Sequence, residues 1–389
     1  MIAYKEGECL MTRRAGSIKK RGDRKYVVRI YMGTDEDGKR IYHNKTIHGT
    51  KKDAQRYLTK VQREKDLGTF VEPSRESLDT HLDEWLTVSI EPRVRERTLA
   101  SYREMLDLYI RPELGKRPIS NLKPAEIQRT TNDMTGRGLS PRTVKYAHRV
   151  LKMALEQAVK WQKIRYNPAN LTDLPKSQAV EMKTLSEAEV HRFLEAARET
   201  PWYPLFVLAI STGMRSGEIL ALQWKDIDFR SARLGVQRSL TRLKGGVWRF
   251  TNPKTPRAKR QISLPPSVID LLTKHRKMQA EIRLAAGSKY ENHDLVFASD
   301  TGQPLNHRNI VRRHFKPLLR SVGLPDVRFY DLRHTHATLL LGAGENPKVV
   351  SERLGHASIV LTLDTYSHVL PDMQQQSAEK IEGILFGGG

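Results

Sequence analysis

"YPLFVLAISTGMRSGEILALQW", residues 203–224, is strongly apolar on both sides of a polar break. The pattern reads as a pair of buried helices interrupted at Thr212-Gly213, with Arg215 placed in the break. Just before it, "SEAEVHRFLEAARET" reads as a capped helix, and after it "DIDFRSARLGVQRS", "GGVWRFTNPKT" and "KRQISLP" read as short strands. Helices resume after Pro265 and continue to a closing "MQQQSAEKIEGILF". Residues 183–389 are therefore expected to form a mainly α domain with a small antiparallel sheet.

A linker, "LTDLPKSQAVEMKTLS", separates this domain from an all-α helical bundle expected over residues 76–171. There "ESLDTHLDEWLTVSI", "RTLASYREMLDLYIRPELG", "LKPAEIQRTTNDM" and "LSPRTVKYAHRVLKMALEQAVKWQKI" read as successive helices. Thr98 is the expected cap of the second, Pro124 an early residue of the third, and Ser140 the cap of the fourth. "NPAN" ends the last one.

A third domain, α+β, is expected over residues 12–70. "RKYVVRIYMG" and "KRIYHNKTIHG" alternate polar and apolar residues around "TDEDGK" and form a hairpin, with "SIKKRG" as a preceding strand. "TKKDAQRYLTKVQREKDLG" supplies one helix, stopped at Gly68. The resulting three-stranded sheet puts Lys25, Val27, Arg29 and Tyr31 on one face, opposite Tyr26, Val28, Ile30 and Met32. This segment carries 17 Lys and Arg against 7 Asp and Glu. Its "GTDEDGKR" nearly fits a phosphate-binding loop, but Arg40 stands where a hydroxyl is required and three acids would repel a phosphate. It is a turn, and it is equally unsuited to calcium because Lys and Arg follow the acids.

The whole chain of 389 residues carries 67 Lys and Arg against 44 Asp and Glu, a net charge of +23. Such an excess attracts polyanions by counterion release, so nucleic acid is the expected partner. No apolar run approaches membrane-spanning length and no basic amphipathic helix suits a membrane surface. "MIAYKEGECL" reads as an unstructured leader; it holds Cys9, the only cysteine, which suits a reducing cytosol and leaves no cysteine-based metal site.

Four pieces of the last domain carry chemistry. Arg215 lies in "STGMRSGEIL", Lys254 in "TNPKTPRAKRQISLP", Arg333 in "RFYDLRHTHATLLL", and His356 with Tyr366 in "LGHASIVLTLDTYSHV". Singly each has an ordinary explanation. An arginine beside a buried helix usually neutralises a carboxylate, and Glu218 or Asp331 could serve; a lysine in a β-turn is usually solvated; a buried tyrosine is usually core. Together, and in this order, the boxes resemble those of the tyrosine recombinase family, specifically the integrases of temperate phages and integrative elements. The resemblance extends to the helical domain, similar to that family's core-binding domain, and more loosely to the basic domain, similar to its arm-binding domain.

The resemblance implies a site-specific recombinase that cleaves and rejoins DNA through a 3′-phosphotyrosyl bond, with Tyr366 as nucleophile. Two guanidiniums, Arg215 and Arg333, would hold the phosphate oxygens bidentately, which a lysine could not duplicate. His356 would hydrogen-bond the phosphate and Lys254 would protonate the leaving 5′-oxygen. A free phenol titrates near ~10, so Tyr366, taken as an exposed phenol, needs nearby cations or a base. The covalent bond conserves the diester's energy, so neither cofactor, ATP nor metal is required. Where the family usually has a histidine three residues before the second arginine, this chain has Tyr330. A phenol is a poor general base near neutrality, so that role is open to His356 or water, and His334 and His336 read as helix residues bracing the pocket.

The implied partner is double-stranded DNA with core and arm attachment sites, engaged by a homotetramer with a host bending factor and an excisionase, in the host cytoplasm and away from membranes. Expected DNA contacts are Arg29, Tyr31 and Lys45 in the first domain and Arg142, Lys145 and Arg149 in the second. The final helix would pack on a neighbouring subunit. Alternatives are a chromosome- or plasmid-resolving recombinase, which would need no extra basic domain, a relaxing topoisomerase, or a non-catalytic DNA-binding regulator, which would not need the five residues together.

Overall fold

The computed structural model describes residues 16–68, 70–72, 74–176, 182–242, 244–252, 259–366 and 373–386. Lys254 and Cys9 lie outside them. The chain divides into two compact units, Met1–Ala179 and Val180–Gly389.

The first unit opens with an antiparallel sheet in the order β1 (Ser17–Gly22), β2 (Lys25–Thr34), β3 (Arg40–His48). The β2–β3 turn is closed by Asp35 N–H to the Lys39 carbonyl at 2.9 Å, as its sequence predicts. Helix α1 (Lys51–Asp66) starts at a capping box of Thr50 and Asp53 and buries Ala54, Leu58 and Val61 against Val28 and Ile30. Period-two alternation thus holds: Arg29 is exposed on the outer face, its guanidinium 3.8 Å above the Tyr42 ring. Register sets Lys45 opposite Val28, on the helix-facing side of the edge strand, whereas Tyr31 pairs with Tyr42 on the Arg29 side.

The bundle comprises α2 (Leu78–Glu84, continued by Trp85–Ile90), α3 (Glu96–Met105, continued by Leu106–Ile110 and Arg111–Leu114), α4 (Pro124–Gly136) and α5 (Pro141–Lys160). Ser140 caps α5 by accepting from Thr143 N–H, with Pro141 at the first helical position. In α3 the cap is Arg95 rather than Thr98, because helical backbone already begins at Glu96. Helix α5 buries Val144, Ala147, Leu151, Ala154 and Ala158 and leaves Arg142, Arg149 and Lys152 exposed, with Lys145 half-buried. Its 3.6-residue period sorts the two sets. Lys163 places its ammonium 2.9 Å from Glu76 and also pairs with Glu84, so it occupies the carboxylate cluster beside the buried His81.

The second unit begins with α6 (Glu187–Ala197), capped by Ser186 and Glu189. The 203–224 stretch gives α7 (Tyr203–Thr212), but its second half forms only a single helical turn, α8 (Ser216–Ile219). Gly213, at φ +61°, ends α7, and the turn after α8 leads into a sheet ordered β4 (Ile227–Asp228), β5 (Arg233–Val236), β8 (Arg260–Ser263). Strands β6 (Ser239–Arg242) and β7 (Trp248–Thr251) form a separate hairpin. Then come α9 (Pro266–Ala286), α10 (His307–Ile310, continued to Ser321), α11 (Asp331–Gly342), α12 (Pro347–Leu354), α13 (Ile359–Tyr366) and α14 (Met373–Phe386). Phe193, Phe206, Phe315 and Phe329 pack as one aromatic group at the centre of this unit. No helix among the described residues is long and apolar enough to cross a membrane.

Candidate active site

Two helix ends and one strand converge on a cluster of guanidiniums. Arg333, in the first turn of α11, is 2% exposed, yet its hydrogen bonds among the described residues go to backbone carbonyls. It donates from Nη1 to the Gly213 carbonyl at 2.8 Å and from Nη2 to the Leu354 carbonyl at 2.7 Å. These are the C-terminal ends of α7 and α12, both closed by a left-handed glycine, Gly213 and Gly355. Unsatisfied carbonyls at the negative end of the helix dipole thus solvate the buried cation. Burial and the neighbouring Arg215 lower its pKa to about 10, which still leaves it charged near neutrality.

Arg215 is the N-cap residue of α8, and Glu218 of that same turn accepts from its backbone N–H at 3.0 Å and from its Nη1 at 2.8 Å. Glu218 Oε2, which accepts the Arg215 backbone N–H, also takes Arg260 Nη2 at 2.9 Å, and Arg260 Nε donates to the Arg353 carbonyl at 2.5 Å. Arg215 and Arg260 pair with one carboxylate, and Arg333 lies within electrostatic reach of all three: three positive charges less one negative leave +2. Only Arg215, at 38% side-chain exposure, is open to solvent. Of the two carboxylates considered from the sequence, Glu218 serves Arg215; Asp331 instead holds Arg328 at 2.8 Å.

His356 follows the α12 stop. Its Nδ1 shares a hydrogen bond with Thr362 Oγ1 at 2.8 Å, and burial, then Arg333 and Arg215, push its pKa down to about 4. His336 braces the pocket, bonded through Nδ1 to the Ile210 carbonyl at 2.8 Å.

Tyr366 departs most from expectation. Its phenol is buried, 1% exposed, against Ala337, Leu341, Val350 and Leu354. Burial outweighs the nearby Arg333 and pushes its pKa up to about 12 rather than down. Its hydroxyl lies 2.7 Å from Nδ1 of His334, whose ring packs edge-on against Tyr330 at 5.1 Å. Tyr330 itself is 44% exposed.

The structure thus brings Arg215, Arg333, His356 and Tyr366 into one electrostatically coupled site with Tyr330 at its margin. His334, expected from the sequence only to brace the pocket, bonds Tyr366 directly, and Arg260 joins the site unannounced. For His334 the one signal was adjacency to Arg333; Arg260 offered only a position on a short strand.

Residues 183–373 match the Phage integrase family, and residues 77–135 match its N-terminal SAM-like domain. The chain is 31% identical to a tyrosine recombinase XerC-like protein of Caldanaerobacter subterraneus, over 94% of this chain and 98% of that one. It is 28% identical to the ICEBs1 integrase of Bacillus subtilis, covering 95% and 100%. Among solved structures, the Tn1549 transposon integrase in complex with a circular intermediate DNA superposes with a TM-score of 0.68 at 22% identity, over 78% of this chain and 99% of that one. A lambda integrase tetramer bound to a Holliday junction gives 0.57 at 20% identity, over 91% and 95%. With its helical fold, its guanidinium cluster and these relatives, the chain belongs to the phage integrase family of tyrosine recombinases and is a site-specific DNA recombinase.

Proposed function

We propose that Tyr366 is the nucleophile of this recombinase and that Arg215 and Arg333 hold the scissile phosphate. The observation that carries this is the +2 guanidinium cluster around a single carboxylate, with Tyr366 and His356 beside it. A phosphodiester brings one negative charge, and a second develops at the transition state. A site with two uncompensated positive charges matches that demand, and preorganised donors of this kind are worth about 3–4 kcal/mol each. His356, neutral without DNA, adds a hydrogen bond to a phosphate oxygen. Lys254 is the proposed acid for the 5′-oxygen.

We further propose the division of labour among domains. Residues 12–70 engage arm sites through the outer sheet face with Arg29 and Tyr31, and Lys45 flanks it. Residues 76–171 grip the core site through the α5 face with Arg142, Lys145 and Arg149, and residues 183–389 cut and rejoin. The exposed cationic face of α5 and the cationic sheet face support this. A tetramer on DNA, accessory bending and excision proteins, and a place in the host cytoplasm belong to the same proposal. Ile381, Ile384, Leu385 and Phe386 of α14 are all more than half exposed, which supports docking of that helix on a neighbouring subunit.

The test is a nicked duplex built from the DNA that adjoins the gene, incubated with wild type and with Tyr366→Phe and quenched in detergent. A protein–DNA adduct mapped to Tyr366 in wild type, absent from the variant while binding persists, is the expected result. Salt-sensitive binding without an adduct would sink the assignment.

A further inference from the structure

The proposed function leaves open which group removes the proton from Tyr366, and the site's hydrogen bonds answer it. His356 has its Nδ1 occupied by Thr362 Oγ1, and His336 has its Nδ1 on the Ile210 carbonyl. Tyr330 offers a phenol, a poor base near neutrality. His334 Nδ1 is 2.7 Å from the Tyr366 oxygen itself. That distance is a hydrogen bond of ordinary length, within the reach required of a general base.

We propose that His334 is the general base of strand cleavage, taking the Tyr366 proton on Nδ1 as the phenol oxygen attacks phosphorus. This rests on the assignment of Tyr366 as nucleophile. The resting pair is uncharged. Tyr366 keeps its proton because burial disfavours the phenolate, and His334 stays neutral because burial, with Arg333 and Arg328, opposes imidazolium. In the tautomer with the imidazole proton on Nε2, the phenol donates and Nδ1 accepts, and this is the tautomer the step uses.

In the forward step the Oη–P bond forms, the P–O5′ bond breaks, and the phenolic proton moves to Nδ1 to give imidazolium. The 5′-oxygen takes its proton from an ammonium or a water. On rejoining, the 5′-hydroxyl gives its proton back to that amine or hydroxide as it attacks, Tyr366 leaves, and imidazolium returns its proton to Oη. No oxidant, nucleotide or metal enters the balance.

The imidazole is well placed for this. It projects from α11 one residue after Arg333, so the base and a phosphate-binding cation share one rigid turn. The groups facing it are Asp331, which favours imidazolium, Arg333 and Arg328, which oppose it, the Tyr330 ring, the Tyr366 hydroxyl, and His356, with which it is electrostatically coupled. A bound phosphate offsets the arginines, so substrate binding itself raises the proton affinity of His334. The nucleophile is thereby kept inert until DNA is in place.

The experiment uses the full chain and the nicked duplex, with a second duplex carrying a 5′-bridging sulfur at the phosphate that the Tyr366 adduct locates. Sulfur leaves without an acid, so it isolates the base. Single-turnover adduct formation is followed from acid to alkaline pH for wild type, Tyr366→Phe, His334→Phe and His334→Asn. Both His334 variants should bind DNA normally yet form adduct about 10²–10⁴-fold more slowly, on oxygen and sulfur substrates alike. The wild-type rate should level off with rising pH, whereas the variants' rates should keep climbing with hydroxide. Variants as fast as wild type, or faster, would mean that His334 only guards the phenol. Wild-type rate in His334→Asn, with loss confined to His334→Phe, would reduce it to seating the ring. No adduct from wild type, or one that survives in Tyr366→Phe, would instead remove the nucleophile assignment on which this rests.

Discussion

Arg260 and Glu218 form an ion pair at 2.9 Å with both side chains 6% exposed, and that carboxylate also fixes the backbone and side chain of Arg215. Arg260 stands at the start of β8, so it couples the strand to the turn that presents Arg215. Removing one partner of a buried pair leaves the other uncompensated, a loss of about 3–5 kcal/mol in typical cases. Arg260→Met should fall at the low end, since Arg215 remains beside Glu218, and urea unfolding of the purified chain measures it. The same variant should cut adduct formation more than DNA binding, because a misplaced Arg215 is felt chiefly in the transition state. Stability unchanged within about 0.5 kcal/mol would show that Glu218 is satisfied without Arg260.

Gly213→Ala tests how the site's backbone holds Arg333. The residue sits at φ +61°, and a Cβ there would meet His336 Cδ2 at 2.6 Å and Leu354 Cδ2 at 2.7 Å. Left-handed backbone costs a non-glycine residue roughly 1–2 kcal/mol before any clash. Relief of the clash must shift His336, Leu354 or the Gly213 carbonyl that accepts from Arg333. Loss of more than about 2 kcal/mol in thermal or chemical unfolding is expected, with a matching fall in adduct formation. A variant as stable as wild type would show that α7 can end without the left-handed residue.

Much of this was legible in the sequence, and what escaped has identifiable causes. Periodicity located α5 and its two faces, because a helix carries its pattern locally; Ser140 and Pro141 marked its start for the same reason. The 203–224 stretch reads as two helices, yet after the Arg215 turn the chain makes one turn of helix and enters the sheet. Apolar runs alone do not separate a short helix from a buried loop. The arginines could be recognised by type and order, but their partners could not. Arg333 is solvated by carbonyls 120 and 21 residues away rather than paired with a nearby acid. The burial of Tyr366, and its bond to His334 across 32 residues, likewise depend on how α11 and α13 pack.

Acid should unfold the second unit through its neutral histidines. His336 is 5% exposed and its pKa is lowered to about 4 by burial and Arg353; His356 is lowered to about 4 as well. For each, the unfolded chain binds a proton near ~6.5 while the folded one does not, so stability rises with pH between these values. It is complete above about pH 6.5 and falls away toward pH 4. For His336 the loss is on the order of 3 kcal/mol, and the more accessible His356 adds less. Unfolding followed from pH 7 to pH 4 should show this slope, and His336→Leu should flatten part of it. An unchanged slope in that variant would place the acid sensitivity elsewhere.

Phosphate contacts can be counted by salt. Arg29, exposed on the outer sheet face over Tyr42, and Arg149, exposed on α5, stand on surfaces proposed for different DNA segments. Each phosphate contact contributes about 0.9 to the slope of log K against log salt concentration on duplex DNA. Arg149→Ala should lower the slope by about one on a short duplex containing only the cleavage site, where Arg29→Ala should leave it unchanged. On a longer duplex reaching into the flanking arms, both substitutions should lower it. Fluorescence anisotropy over a salt series gives the slopes. An Arg29→Ala effect on the short duplex equal to that of Arg149→Ala would mean that the basic sheet binds beside the cleavage site, and the division of labour between the two surfaces would fall.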